Sequence, residues 1–93
     1  MQGSYEIKTK KGVIKVVVNI ENNKIEWIRI EGDFFIYPED AVWKAENELK
    51  GLEVNEDLIK NKIREIFKNV EFVGSSIEDF ENVIMNAIKE AGK

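Results

Sequence analysis

The sequence predicts an α+β fold in which a three-stranded antiparallel meander is followed by three helices packed on it, giving a two-layer sandwich. The first observation is that three strand-like runs near the start are separated by Lys-Gly and Asn-Asn, where glycine and asparagine suit tight hairpin loops. The second is that three later segments carry apolar side chains at helical spacing. A chain of 93 residues has the length of one domain, and residues 1–93 are assigned to it.

The predicted strands cover residues 4–10, 13–21 and 24–31. If residues 11–12 and 22–23 form two-residue loops, the facing pairs are Thr9 with Ile14, Ile7 with Val16, Tyr5 with Val18, Ile20 with Ile25 and Val18 with Trp27. All of these side chains fall on one sheet face, because strand side chains alternate with a period of two. Two independent turns therefore predict the same apolar face.

The apolar residues of the third strand change face between Trp27 and Ile28. A β-bulge would produce this change, since it inserts one extra residue into one strand. A second surface that covers this end of the sheet would explain it equally well. The sequence leaves both alternatives open.

The first helix is predicted over residues 38–49. Pro38 suits the first helical position, and Glu39 and Asp40 would then lie in the first turn, where carboxylates favour the positive end of the helix dipole. Gly51 suits the C-terminal cap.

Two further helices are predicted, over residues 56–68 and 76–91. Asn55 is the expected N-cap of the former, and residues 75–78 (Ser-Ser-Ile-Glu) fit a capping box for the latter. Between them, residues 70–73 have the composition of a short extended segment.

Charge and composition exclude several functional classes. The net charge is −4, so the chain lacks the basic balance that nucleic-acid binding requires. It contains no histidine and no cysteine, which removes thiol chemistry, disulfides and the commonest zinc ligands. No apolar run approaches the roughly 20 residues of a membrane span, and the N-terminus carries no signal-peptide pattern. We expect a cytoplasmic protein that binds neither nucleic acid nor membrane.

The sequence contains no constellation of residues typical of a catalytic or metal centre. The acidic pairs at residues 39–40 and 78–79 fall in predicted first helical turns, where compensation of the dipole accounts for them. Neither an EF-hand loop nor a Gly-rich phosphate loop is present. We therefore expect no catalytic residue, no metal site and no cofactor bound by this chain alone.

Trp43 is a candidate partner contact. Val42, Ala45 and Leu49 define the predicted buried stripe of the first helix, and Trp43 lies about 100° from Val42 on the helical wheel. An exposed tryptophan is a favoured interface anchor. The alternatives are that the helix is rotated or that the C-terminal tail covers the ring.

The segment Gly32-Asp33-Phe34-Phe35 is the other candidate. As a strand exit, Gly32 would allow a bend and Asp33 would satisfy backbone donors. Consecutive residues of an extended segment point to opposite faces, so only one of the two phenylalanines can join the core. The other must be covered by a later helix or by another protein.

Four segments, taken in order, resemble the C-terminal accessory domain of lipoate-protein ligases: GVI at residues 12–14, IRIEGDFF at 28–35, LKG at 49–51, and Gly74 before the last helix. The resemblance covers nearly the whole chain. In many bacterial ligases this domain is fused behind the catalytic domain, whereas in some archaea it is a separate small chain, which this sequence resembles. One departure is IYP at residues 36–38, where many fused members carry a short polar stretch.

The resemblance implies an accessory subunit of a two-part lipoate-protein ligase. In this family the large catalytic subunit joins lipoate to ATP, giving lipoyl-AMP and pyrophosphate, and then transfers the lipoyl group to a lysine of a lipoyl-acceptor domain. The complex would use ATP, Mg and lipoate, and the direct partner of this chain would be the large subunit. The family motif carries over as Gly32, Asp33, Phe34 and Phe35.

Two other functions stay open at this point. The chain is alternatively a non-enzymatic module that docks an unrelated protein through its exposed aromatic surface, or a domain that associates with itself. Whether lipoate or octanoate is the acyl substrate is also open.

Overall fold

The computed structural model describes residues 1–93 and confirms the predicted α+β class. The main sheet is antiparallel, with its strands in the order β1 (Gln2–Thr9), β2 (Gly12–Glu21) and β3 (Lys24–Asp33). The helices are α1 (Ala41–Leu49), α2 (Glu56–Ile66) and α3 (Ile77–Ala91). α3 lies across β1 and β2, and α1 lies against β3 and α2. None of the helices is long and apolar enough to cross a membrane.

A second, two-stranded sheet is present, of which the sequence indicated only one half. β4 (Phe35–Tyr37) follows β3 almost directly, and β5 (Glu71–Val73) lies between α2 and α3. The two strands are antiparallel and pair Phe35 with Val73, Ile36 with Phe72 and Tyr37 with Glu71. β4 and β5 together are called the ribbon below.

The sheet and the helices enclose one apolar core that contains no buried polar or charged side chain. The main sheet contributes Ile14, Val16, Val18, Ile25, Ile28 and Ile30 from one face. The alternation of strand side chains predicted this face for the first four of them, whereas it placed Ile28 and Ile30 on the opposite face.

The first hairpin loop is one residue earlier than predicted. Lys10 and Lys11 form the loop, and the observed pairs are Thr9 with Gly12, Ile7 with Ile14 and Tyr5 with Val16. Gly12 belongs to β2, where a Cβ would lie 1.8 Å from the Asp33 carbonyl oxygen of β3, so its small size is needed in the strand rather than in the loop. The same side chains stay on the same face, because the pairing has moved by two residues.

A bulge in β3 explains the change of face between Trp27 and Ile28. The register shifts just before this point, between Ile25 and Trp27, where Glu26 has no partner; the observed pairs are Ile20 with Ile25, Asn19 with Trp27 and Val18 with Ile28. The predicted pair of Val18 with Trp27 is therefore wrong. The extra residue turns Ile28 and Ile30 onto the buried face, as expected for a bulge rather than for a second covering surface.

α1 begins three residues later than predicted. The ribbon holds the chain extended as far as Tyr37, and residues 38–40 form a turn in which the Ala41 N–H donates to the Pro38 carbonyl oxygen at 3.2 Å. Pro38 is thus not the first helical residue, and Glu39 and Asp40 precede the first turn.

The other two helices agree with the sequence to within two residues. Asn55 caps α2 as predicted, its side chain accepting from the Leu58 N–H. The capping box of α3 is formed by Ser76 and Asp79, one residue later than the Ser75–Glu78 box that the sequence indicated.

Candidate functional site

The Gly32–Phe35 motif joins the main sheet to the ribbon. Gly32 has a φ of +134°, and a Cβ there would lie 2.3 Å from the Val13 carbonyl oxygen on β2. Any other residue would be strained in its backbone and would press on the neighbouring strand. The motif glycine is therefore required for the bend, and the Asp33 side chain that follows it is exposed.

Phe34 faces the core. Its ring lies 5.2 Å from the Phe80 ring at 87°, an edge-to-face contact. Phe80 in turn contacts Phe67 at 5.3 Å and Phe72 at 5.6 Å between ring centroids. These four rings form one aromatic cluster that fixes the ribbon to α2 and α3.

Phe35 is the phenylalanine that faces solvent; alternation predicted that only one of the two could join the core, but not which one. Its side chain is 60% exposed, and Val73 opposite it is 49% exposed. Tyr37, two residues further along β4, is 64% exposed, and Glu71 pairs with it. The side formed by Phe35, Tyr37, Glu71 and Val73 is called the outer ribbon face. Ile36 is buried on the opposite side of β4.

Tyr37 and Val73 were not predicted from the sequence as contact residues. The signal that would have found them is the alternation of residues 35–37 and 71–73, which places the first and third side chain of each segment on one side. That signal is usable only when the two segments are known to pair.

Trp43 lies on the side of α1 that faces away from the core. The buried residues of this helix are Ala41, Ala45 and Leu49, whereas Trp43 is 67% exposed. Neither a rotation of the helix nor the C-terminal tail covers the ring. Trp43 and Phe35 both stand outside the aromatic cluster, so they are two separate exposed aromatic positions.

The outward face of the main sheet is occupied by contacts within the chain. The Arg29 guanidinium lies over the Trp27 ring at 5.3 Å, and Glu31 forms ion pairs with Arg29 at 3.5 Å and Lys15 at 4.0 Å. This is the arrangement expected of a solvated sheet face, with each charge near an opposite one.

The shifted pKa values of the chain belong to exposed ion pairs. A hydrogen bond with Lys60 lowers the pKa of the Glu56 carboxyl, and the same contact raises the pKa of Lys60. A hydrogen bond from the N-terminal ammonium lowers the pKa of Glu21. Glu56 and Lys60 line a surface depression between α2 and α3, but their pKa shifts come from pairing with each other and not from burial, so they do not point to catalysis.

The exposed features of this region are apolar side chains on the ribbon and one tryptophan. No three acidic side chains cluster to hold a metal ion. Fold and site together define a small α+β domain that presents exposed apolar contact surfaces.

Similarity to a known family identifies this domain. Residues 2–84 match the model of the bacterial lipoate protein ligase C-terminus, and the chain belongs to this family. The resemblance noted from the motif residues is thereby confirmed.

A similar protein and a similar solved structure both come from Thermoplasma acidophilum. The chain is 37% identical to its lipoate-protein ligase A subunit 2 over 81 residues, which is 86% of this chain and 84% of the relative. A chain in the structure of a bi-partite lipoate protein ligase and its E2 lipoyl domain superposes with a TM-score of 0.80 at 35% identity. That match covers 90% of this chain and 94% of the other.

Proposed function

We propose that this chain is the small subunit of a two-part lipoate-protein ligase. With the large catalytic subunit, it serves the ATP-dependent activation of lipoate to lipoyl-AMP before transfer to a lysine of a lipoyl-acceptor domain, in the cytoplasm. The observation that carries the proposal is the near full-length similarity to a free-standing second subunit, 84% of which is covered.

The role of the small subunit is to complete a site that the large subunit holds. This chain has no group of three acidic side chains that could hold a metal ion, so the Mg ion that accompanies ATP would be held by the large subunit. A domain that closes over the adenylate site would exclude water and keep the mixed anhydride from hydrolysis.

The test is lipoate-dependent exchange between ATP and pyrophosphate. We expect exchange when the purified large subunit and this chain are mixed, and none with either alone. Octanoate in a parallel assay identifies the preferred acyl group. A large subunit whose exchange is unchanged by this chain would contradict the proposal.

The second candidate is a non-enzymatic module that docks an unrelated protein, and the exposure of Trp43 favours it. This function predicts a stable complex that leaves adenylation unchanged and that Trp43→Ala weakens. This second function would be excluded if mixing the two subunits produced ATP–pyrophosphate exchange and if this chain bound no protein other than the ligase.

A further inference from the structure

We infer that the outer ribbon face is the surface on which this chain docks the large catalytic subunit, with Phe35, Tyr37 and Val73 as its apolar contacts. The inference rests on the proposed function, because the large subunit is the one occupant to which it commits.

The outer ribbon face is the place where exposed apolar side chains are contiguous. Six large hydrophobic residues are exposed, and three of them, Phe35, Tyr37 and Val73, share this face. Phe35 is directly opposite Val73, and Tyr37 is the next outward position on β4. The others, Met1, Trp43 and Leu58, stand at the N-terminus, on α1 and on α2. Single exposed apolar residues are ordinary, whereas a contiguous group marks an interaction site.

The face is held rigidly from behind. Ile36 is buried beneath it, and Phe72 lies 5.6 Å from Phe80 in the aromatic cluster. Beyond β5, the Gly74 carbonyl oxygen accepts from the Lys10 N–H at 3.2 Å, which ties the ribbon to the first hairpin. A preorganised surface binds without first having to be ordered, so more of its contact energy is available for affinity.

The charges at the Tyr37 end of the face indicate the chemistry of its partner. Glu71 pairs with Tyr37 on the face itself, and Glu39 and Asp40 follow Tyr37 after Pro38. None of these three carboxylates forms a salt bridge within the chain. A subunit that binds lipoate and ATP, both anions, needs positive potential around its site. Lysines or arginines beside an apolar patch on that subunit would complement the Tyr37 end of the ribbon.

The experiment measures the dissociation constant of the complex between the full-length large subunit and variants of the full-length chain by calorimetry. The double variant Phe35→Thr/Val73→Thr removes apolar area but keeps the strand propensity of the ribbon. We expect its dissociation constant to rise about tenfold or more, as for contacts at the centre of an interface. The matched control Leu58→Gln changes an exposed apolar residue on α2 and should leave the constant within about twofold of the wild type.

Glu71→Lys tests the charge argument separately. We expect slower association with the large subunit, and a difference from the wild type that shrinks as salt is added, since rim charges act mainly on the association rate. Because Glu71 is exposed, Glu71→Lys should keep the fold. If the double variant does not fold, Glu71→Lys and the single variant Phe35→Thr test the docking surface in its place.

Folded ribbon variants that bind the large subunit as tightly as the wild type would overturn the inference while leaving the proposed function intact. Light scattering that showed the face pairing two copies of this chain, with the heteromeric complex unaffected by the variants, would overturn it as well. If the wild type neither binds nor activates the large subunit, the proposed function fails and the docking surface fails with it.

Discussion

Adjacent residues of the Gly32–Phe35 motif have opposite surroundings. The Phe34 ring lies edge-on to Phe80 in the core, whereas 60% of the Phe35 side chain is open to solvent. Residue type is the same at both positions, so the direction of the extended backbone decides their roles. At the residue scale, one half of the motif is structural and the other half is available to a partner.

Gly32→Ala is expected to destabilise the chain more than Gly51→Ala. The φ of Gly32 is +134°, and a Cβ would meet the Val13 carbonyl oxygen, so we expect a loss of about 1–3 kcal/mol. Gly51 also has a positive φ, +88°, but open space around it, so its substitution should cost about 1 kcal/mol. Urea unfolding of both variants measures the difference, and equal losses would show that the contact with β2 relaxes freely.

Contacts along its outer side keep β3 from being a free sheet edge. At the start of β3, the Ile25 N–H donates to the Leu52 carbonyl oxygen at 2.9 Å. Further along, the Ile30 N–H donates to Glu46 Oε2 of α1 at 2.8 Å. Unpaired strand edges invite association with other chains, so these contacts protect the sheet. At the scale of elements, α1 is anchored to the sheet by a polar contact as well as by its apolar stripe.

Glu46→Leu should loosen this anchor, whereas Glu46→Gln should keep it. The leucine leaves the Ile30 N–H without an acceptor at a half-buried position, which costs about 1–2 kcal/mol. Glutamine offers an amide oxygen at the same place. Amide hydrogen exchange is the measurement: we expect faster exchange at Ile30 in the leucine variant only. Equal exchange in all three proteins would mean that another group shields this N–H.

Elements that depend on local patterns could be predicted from the sequence, and those that depend on distant pairing could not. The second hairpin could be predicted because apolar and polar residues alternate on both sides of Asn22 and Asn23. Both asparagines have the positive φ values that such a loop requires. The ribbon joins two three-residue strands on either side of α1 and α2, and segments so short carry no usable periodicity. α1 starts later than predicted for the same reason, because the pairing of β4 with β5 keeps the chain extended as far as Tyr37.

The candidate site divides in the same way. The exposure of Trp43 follows from a helical wheel, and that of either Phe34 or Phe35 follows from alternation, so both were accessible to sequence reasoning. Tyr37 and Val73 share a face with Phe35 only because β4 pairs with β5, and no local sequence pattern predicts this pairing.

At the scale of the whole molecule, the interior holds only apolar side chains, and the surface carries the features that a partner could recognise. The core is wholly apolar, so it specifies the fold without adding chemistry. The net charge of −4 favours association with a basic partner over association with nucleic acid. These are properties of a domain whose function is exercised in a complex.

Complex formation should stabilise this chain, and the gain should rise with the logarithm of the concentration of the large subunit once that concentration exceeds the dissociation constant. A partner that binds only the folded form at 100 times its dissociation constant adds about 2.7 kcal/mol to the free energy of unfolding. Hydrogen exchange of the most protected amides of this chain measures the gain across a titration. The Phe35→Thr/Val73→Thr variant should gain less at the same partner concentration. Stability that did not change with the concentration of partner would speak against the complex.

The ribbon also works as a clasp. β4 enters the helical pair α1–α2 and β5 leaves it, so their pairing closes residues 38–70 into a loop whose ends are held together by three residue pairs. Opening the clasp would remove one restraint on both helices, while α1 keeps its contacts with β3, among them the Ile30–Glu46 hydrogen bond. A protein bound to the outer ribbon face would keep the pairing closed. Docking at one short ribbon would thus slow the opening of a loop that the partner need not touch.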